Sequence, residues 1–458
     1  MHRTRRRGNP PLLPRGRLVR TAAVVVALAT GITAAAFAVG GSDERPSGVR
    51  TDAVQPAGRA ALDRVGSKDL GKSISGLQAQ LRARPKDAAG WATLGAAYVE
   101  QARTTGDPTR YPQAQKALAR SLTAQPRDND LALAGRAALA AARHDFPDAL
   151  RDADRALKVN AYSERALAVR VDALVELGRY DDAYAAARRA DSLRPGIPAF
   201  TRLAYVLELR GDPAGARSVL LRARKSATAP GDVAYVATAL GQLAWSQGQY
   251  PRARGHFADA LRAEPGHLPA LEGRGRTFAA VGDLDAAVRD LEEVVRRYPL
   301  PAELAALGEV YEARGDRERA GEQYAVAATW IDLARANGVA TDLDSALIAA
   351  DHGDRAEALR AARAEWGRRH SVHSADALAW ALHRAGRDRE ALRYAKSAAA
   401  PGYRNASFLY HRGVIEKSLG DTASARRHLS AALDLNPAFS PTGARAAQAA
   451  LKGLGEAR

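Results

Sequence analysis

Cysteine is absent from the 458-residue chain, and methionine occurs only once. The absence of cysteine excludes disulfide bonds, thiolate metal ligands, a cysteine nucleophile and a lipid-anchored N-terminal cysteine. Aromatic residues are also scarce, at 6%, although hydrophobic residues reach 46%. Alanine therefore supplies much of the apolar content, which favours closely packed helices over sheets and excludes a chain that is disordered throughout.

The sequence patterns of several enzyme classes are missing too. The chain contains no P-loop, no dinucleotide-binding glycine fingerprint, no HExxH zinc motif and no GxSxG nucleophile elbow. We therefore predict no catalytic residue, no cofactor and no metal. Asp376, Trp380 and His383 fall on one face of a predicted helix near His370 and His373. A metal-binding envelope protein that uses this region is the alternative to an ordinary polar stripe on a helix.

The formal net charge of +17 raises the question of nucleic-acid binding. Seven of the arginines lie in the first 38 residues, which contain no acidic residue, so the remainder of the chain carries +10. There the basic residues alternate with acidic ones, as where Asp191 follows Arg188 and Arg189. Mixed charge of this kind is typical of a solvated helix surface, so we predict no nucleic-acid partner.

The N-terminal region has the pattern of an export signal. Residues 1–20 are basic, and residues 21–39 form an uncharged stretch that, at about 1.5 Å per residue, just crosses a hydrocarbon core of roughly 30 Å. The basic flank predicts a cytoplasmic N-terminus with the rest of the chain outside. Gly31 and the small-x-small triplet Ala36-Phe37-Ala38 favour a signal peptide cleaved after Ala38, whereas the length of the stretch and the long basic flank favour an uncleaved transmembrane anchor. Both interpretations stay open, and residues 40–72 are predicted to be a linker.

From residue 73 onward the chain repeats, and the clearest marker is a glycine followed five residues later by alanine. Apolar or small residues recur at helical spacing on both sides of each glycine, which predicts two amphipathic helices joined by a short turn. The glycine would occupy the turn, where a left-handed backbone needs no Cβ. The marker occurs at Gly178/Ala183, Gly211/Ala216, Gly248/Ala253, Gly282/Ala287, Gly315/Ala320, Gly353/Ala358, Gly386/Ala391 and Gly420/Ala425.

This pattern resembles the tetratricopeptide repeat, a helix-turn-helix unit of 34 residues. One well-matched unit has Leu304, Leu307, Gly308, Tyr311, Gly315, Ala320, Tyr324 and Ala327. The resemblance implies an all-α protein, a right-handed superhelix (α-solenoid) of about ten repeats over residues 88–437. Capping helices are predicted at residues 73–87 and 438–458, because an array must cover its terminal faces.

Some parts of the array depart from the pattern. The turn of one unit carries His144 in place of glycine, and the unit around Gly353 keeps little beyond the glycine and alanine. Insertions occur at residues 103–109, 225–232 and 330–341. We expect these insertions to be tolerated loops, with a bend or an extra contact surface as the alternatives.

The resemblance also implies a concave groove, lined by the first helix of each unit, that holds a peptide or a partner helix. Aromatic residues flanked by both charge signs suit a protein partner. The lysine and asparagine clamp that some family members use for a C-terminal carboxylate is absent, because its positions hold residues such as Asp172, Gln242 and Glu309. The predicted groove residues are Arg165, Asp172, Tyr205, Glu208, Tyr235, Gln242, Trp245, Glu272, Arg276, Glu309, Glu312, His373, Asp376, Trp380, His383 and Tyr410.

The sequence therefore predicts an exported bacterial repeat protein, a non-catalytic scaffold or adaptor in the envelope or outside the cell. Its partners would be proteins or peptides, with a membrane contact through residues 21–39 if that segment is uncleaved. A second, local resemblance leaves another context open. Residues 77–98 are similar to the start of repeat domains in cytochrome c maturation factors, although no haem-binding cysteine is present.

Overall fold

The structure, a computed structural model, describes residues 70–456. The predicted export segment at residues 1–39 lies outside the described residues, as does the linker up to residue 69. The described part is all-α, with 22 α-helices and one short 3-10 turn. None of these helices combines the length and the apolar character that crossing a bilayer requires.

Twenty of the described helices form ten consecutive pairs, in agreement with the prediction of about ten units. A single helix, α1 (Leu70–Ala83), precedes them and begins three residues before the expected boundary, and α22 (Gly443–Glu456) follows them. The first helices of the pairs are α2 (Ala88–Thr105), α4 (Asp130–Ala142), α6 (Glu164–Glu176), α8 (Ile197–Leu209), α10 (Pro230–Ser246), α12 (Leu268–Ala280), α14 (Pro301–Arg314), α16 (Asp342–His352), α18 (Val372–Arg384) and α20 (Ala406–Ser418). The second helices are α3 (Tyr111–Ala124), α5 (Phe146–Val159), α7 (Tyr180–Leu193), α9 (Pro213–Ser226), α11 (Tyr250–Ala263), α13 (Leu284–Arg297), α15 (Arg317–Ala336), α17 (Arg355–Arg368), α19 (Asp388–Ala398) and α21 (Thr422–Leu435).

Small residues let the two helices of a pair approach closely. A Cβ placed on Gly241 would lie 2.6 Å from Cε1 of Phe257, and one on Gly95 would lie 2.5 Å from Cγ of Leu118. Phe257 and Leu118 are both completely buried. The apolar side chain of the second helix therefore fills the space that glycine leaves on the first, as the repeat pattern predicts.

The turns within the units follow a Gly-Asp rule in several places. Gly211, Gly315 and Gly420 have positive φ values and end the first helix, and the next residue is an aspartate. The side chain of that aspartate accepts a hydrogen bond from the backbone N–H three residues on, as Asp212 does from Gly215 at 2.8 Å. Such N-caps satisfy donors that a helix start leaves unpaired.

Gly353 is the exception, and here the prediction of a left-handed glycine is wrong. Its φ is −142°, an extended conformation, and only two residues separate α16 from α17. In the earlier unit without glycine, His144 adopts the left-handed conformation itself, with φ 60°. The two departures from the sequence pattern are therefore different in structure.

The insertions are partly helical, since residues 103–105, 225–226, 230–232 and 330–336 belong to the neighbouring α-helices, so the expectation of plain loops is wrong for these parts. Helix α2 runs on to Thr105, α10 begins early at Pro230, and α15 is extended to Ala336. The extension of α15 buries Trp330 and Ile331 in the same apolar cluster as residues of α2 to α8. This insertion is the contact surface that the sequence left as an alternative.

The extended α15 reaches these distant helices because the solenoid coils back on itself. We call α2 to α11 the first turn and α12 to α21 the second turn. Residues of the two turns meet through hydrogen bonds, most of them at a sequence separation of 186 to 197 residues. At about 34 residues per repeat this is roughly five and a half units. The contacts join Arg103 to Tyr298, Arg143 and His144 to Ala340, Glu176 to Arg369, Tyr180 to Val372, Gly211 to Gly402, and Trp245 and Tyr250 to Asn436.

Candidate functional site

The inner face of the solenoid is formed by the first helices of the units. Each first helix packs on the first helix of the next unit, whereas the second helices pack chiefly on their own partners and on the following first helix. Helices that pack side by side lie on the inside of a curve, and those that splay apart lie on the outside. The predicted groove residues all lie on first helices, from α6 to α20.

Asp172 is buried in an ion pair and does not face a groove. The guanidinium of Arg202 on α8 donates to both of its carboxylate oxygens, at 2.7 and 2.8 Å. Burial raises the pKa of the Asp172 carboxyl, and Arg202 opposes that shift. A bidentate pair that is buried on both sides joins two neighbouring units, α6 and α8.

Tyr205 and Glu208 are also buried, because the second turn covers the inner face of α8. The hydroxyl of Tyr205 lies 3.2 Å from Nε2 of His373 on α18, 168 residues further along the chain. Burial lowers the pKa of His373 to about 4 and raises that of Glu208 to about 7. The Oγ of Ser246 donates to Glu208 at 3.1 Å. Tyr205 and His373 therefore join the two turns, whereas Glu208 and Ser246 join neighbouring units of the first turn.

The histidines of the alternative metal site point to different partners. His370 packs against the ring of Trp366 at 4.4 Å, and Nδ1 of His383 lies 2.5 Å from Asp388. His373 contacts Tyr205, as described above. Within residues 70–456, no three His, Asp or Glu residues are arranged to hold a metal ion.

Trp380 and Asp376 belong to the packed interior of α18 and α20. The indole of Trp380 stacks on the imidazole of His411 at 4.2 Å, and its Nε1 donates to Asp351 at 2.8 Å. Asp376 lies 2.9 Å from Nδ1 of His411. Burial opposes the charge on His411, but the carboxylate of Asp376 outweighs it and raises the pKa. The sequence pattern did not single out His411, which lies on α20 and contacts Asp376 and Trp380 on α18.

The remaining predicted residues form a more accessible set. Arg276 on α12 is exposed, and its guanidinium lies 4.1 Å above the ring of Trp245 on α10. It also pairs with Glu272 at 3.5 Å. Half-buried side chains make up the rest of this set, which consists of Arg165, Tyr235, Gln242, Trp245, Glu272, Glu309, Glu312, His383 and Tyr410.

Carboxylates dominate the inner face further along. Glu309 accepts a hydrogen bond of 2.9 Å from Oγ of Ser440, and Glu312 lies 3.4 Å from Nδ1 of His352. Burial, with Asp351 as a nearby like charge, raises the pKa of Glu309 to about 7, although Ser440 opposes the shift. Ser440 lies in the segment before α22, so this connecting segment also contacts the inner face.

The structure adds acidic residues that the repeat pattern did not single out, namely Glu303, Asp344 and Asp351. Glu303 and Asp344 are buried on α14 and α16. Burial raises the pKa of Asp344 to about 7 and that of Glu303 well above its usual value. The unit around Gly353 matches the repeat pattern poorly, so its inner positions could not be assigned from the sequence.

Two segments of the chain match family models of the tetratricopeptide repeat, at residues 238–299 and 406–439. The first covers the units α10 to α13, and the second covers α20 and α21. These two segments therefore carry tetratricopeptide repeats, as the sequence pattern predicts. A comparison with curated protein sequences gives no match.

Several solved structures are similar to the chain. A chain of the APC/C hetero-tetramer Cut9–Hcn1 is 14% identical with a TM-score of 0.43, over 86% of this chain and 82% of that one. PilW, a type IV pilus biogenesis factor, is 24% identical with a TM-score of 0.37, over 43% of this chain and 90% of that one. Yeast Tom70 is 15% identical with a TM-score of 0.35, over 84% of this chain and 93% of that one.

Proposed function

We propose that this tetratricopeptide-repeat chain is a non-catalytic scaffold that binds partner proteins on its inner face, outside the cytoplasm. The observation that carries the proposal is the accessible inner surface around Trp245 and Arg276. An aromatic ring, a guanidinium and carboxylates lie there within one continuous surface, and such anchors contribute most of the affinity in protein interfaces. Arrays of this repeat bind proteins as a class.

The inner face supports binding along only part of its length. Around Asp172, Tyr205 and Trp380 the side chains are committed to contacts between units or between turns. The surface from Trp245 to Glu312 is less covered, because the side chains of Trp245, Glu272, Arg276, Glu309 and Glu312 are exposed or half-buried. We therefore place partner binding on α10 to α14.

The proposal of export rests on the sequence alone. Residues 1–20 carry seven arginines and no acid, and residues 21–39 are uncharged. This is the arrangement of a signal peptide or a signal anchor. N-terminal sequencing of the protein from the producing cell tests it: a mature chain that starts after Ala38 establishes a cleaved signal. A phosphatase fused to the C-terminus, active only outside the cytoplasm, would stay inactive if the chain were not exported.

Partner binding is tested by comparative co-purification of the full chain. The double variant Trp245→Ala, Arg276→Ala should lose proteins that the unchanged chain retains, because both anchors of the surface are removed. The matched control is Trp366→Ala, since Trp366 is also half-buried but lies on α17, a second helix. Equal recovery of every protein by all three chains would overturn the proposed site.

A further inference from the structure

The inner face of the second turn is acidic, although the chain as a whole is basic. Seven acidic residues lie on its first helices α12, α14 and α16, and six remain when Asp342, which pairs with Arg368, is set aside, whereas the protein as a whole carries a net charge of +17. Arg276 acts on Glu303 and Glu309, and Arg369 acts on Asp344, but Arg369 is already paired with Glu176 and Glu365. The set, which we call the acidic face, consists of Glu272, Glu303, Glu309, Glu312, Asp344 and Asp351.

Most of these carboxylates have no cationic partner of their own. Glu303, Glu309, Asp344 and Asp351 form no ion pair with another residue in the range 70–456. Glu272 shares Arg276, and Glu312 has only the imidazole of His352. Carboxylates withdrawn from water without a counter-charge are unfavourable.

Glu303 is not only one of several like charges, because its carboxylate is also buried and incompletely hydrogen-bonded. Its side chain is only 3% exposed, and its Oε2 atom has no hydrogen-bond partner among the described residues. The carboxylates of Glu272 and Asp344 act on it with the same sign, and Arg276, which opposes them, is shared with Glu272. A buried acceptor that faces further acceptors lacks a donor, and a donor with a positive charge would satisfy it best.

Aromatic rings flank the acidic face at both ends. Trp245 lies on α10 under the guanidinium of Arg276, and Tyr410 lies on α20, where burial first and the charge of Asp351 second raise its pKa. The stacked Arg276 demonstrates that a guanidinium fits over the Trp245 ring at 4.1 Å. Rings and carboxylates together favour arginine and lysine side chains.

We infer that the acidic face binds an extended peptide segment that carries several arginine or lysine residues. The inference rests on the proposed function, and it names the chemistry of the partner. The segment would place cationic side chains against the unpaired carboxylates from α12 to α16 and across Trp245. A phosphate backbone or an acidic peptide would meet the same carboxylates and be repelled.

The test is a binding titration of the full chain with fluorescent peptides. The probe alternates arginine and alanine over about ten residues, roughly 33 Å when extended, and the comparison peptide replaces each arginine by glutamate. We expect the arginine peptide to bind and the glutamate peptide not to bind. No binding of the arginine peptide, or equal binding of both peptides, would overturn the inference.

Paired variants separate the acidic face from general electrostatic attraction. Glu309→Gln with Glu312→Gln removes two charges from α14, and Glu318→Gln with Glu322→Gln removes two from exposed positions on α15 of the same unit. The substitutions on α14 should weaken binding of the arginine peptide about tenfold, and those on α15 less than about twofold. The reason is that a charge in contact with the peptide contributes more than a distant, screened one. Equal weakening by both pairs would show a diffuse attraction and reject the site. If co-purification depends on Trp245 while the arginine peptide fails to bind, this inference falls and the proposed function stands.

Discussion

The turn glycines of the solenoid experience two different environments at the same backbone geometry. Gly178 and Gly386 both have φ of 74°. A Cβ on Gly178 would lie 2.3 Å from the carbonyl oxygen of His370 in the second turn, whereas a Cβ on Gly386 would meet nothing within 4 Å. One glycine is therefore required by the backbone alone, and the other by the backbone and by packing.

This pair gives a matched prediction. Gly386→Ala should cost about 1–2 kcal/mol of unfolding free energy, because alanine disfavours a left-handed backbone. Gly178→Ala should cost about 1–3 kcal/mol more, because the two turns must also separate to admit the methyl group. Urea unfolding midpoints of the two variants measure the difference. Equal midpoints would mean that the turns do not press on Gly178.

A second residue-scale prediction concerns Glu309 and pH. Its pKa is raised from 4.5 to about 7 by burial first, with Asp351 and Glu312 as like charges, against Ser440 and Arg276. The folded state thus holds the proton more tightly than the unfolded state, and the associated stability is lost as pH rises from about 4.5 through 7. Glu309→Gln should therefore be more stable than the unchanged chain at pH 8, by about 1–3 kcal/mol, and similar to it at pH 4.

Thermal unfolding at both pH values measures this effect, with Glu318→Gln as the control on the exposed surface of α15. A Glu309→Gln variant that gains nothing at pH 8 would contradict the burial of an unpaired carboxylate. The same substitution is expected to weaken binding of the arginine peptide. Stability and binding would then change in opposite directions, which is typical of a functional site.

At the scale of the helix, α15 carries the strongest prediction. Its C-terminal extension buries Trp330, which is 4% exposed, against the apolar cluster of the first turn. Trp330→Ala should cost about 3–5 kcal/mol, because a large buried ring leaves a cavity. Trp366→Ala on α17 removes an equal ring that is only half-buried, and should cost less. Urea unfolding compares the two, and equal losses would mean that the extension is not anchored.

The helix pairs were predictable from the sequence because their cause is local. Gly241 and Phe257 meet across one turn, so the small and the large residue recur at a fixed spacing in the chain. His144 shows where the local pattern stops. It replaces glycine in the left-handed turn, and its Nδ1 lies 2.8 Å from the carbonyl oxygen of Ala340 in the second turn. Nothing near His144 in the sequence indicates that partner.

The candidate site was predictable only in part, because the local repeat pattern does not encode the contacts between turns. The repeat pattern assigned Trp245, Arg276 and Glu309 to first helices of their units, and each lies on a first helix in the structure. It could not show that Tyr205 would be covered by His373, because that contact spans 168 residues. Burial of the inner face depends on how tightly the solenoid coils, and no spacing within one unit encodes this.

At the scale of the whole molecule, Arg369 connects the two turns. It forms a buried ion pair with Glu176 of the first turn at 2.5 Å and also bonds Glu365 on its own helix pair. Arg369→Met would remove the buried cation that Glu176 and Glu365 share, although Arg368 still pairs with Glu365, and should cost about 3–5 kcal/mol. Small-angle X-ray scattering should then show a larger radius of gyration, because the turns separate.

The control for this prediction is Arg296→Met. Arg296 pairs with Glu293 at 2.5 Å within α13, but its side chain is 69% exposed, so its loss should cost less than about 1 kcal/mol. Its radius of gyration should equal that of the unchanged chain. An unchanged radius for Arg369→Met as well would show that other contacts hold the turns together.

The contacts between turns have a mechanical consequence. When the chain is pulled from its two ends, the force acts first on the contacts between the turns, because these bonds resist lengthening of the coil. Each helix pair is held separately by its own packing. Hydrogen bonds such as that from Ala340 to Arg143 would break before any single repeat unfolds. The molecule would then be stiff while its two turns are in contact and compliant after they separate, and the contacts would form again when the force is released.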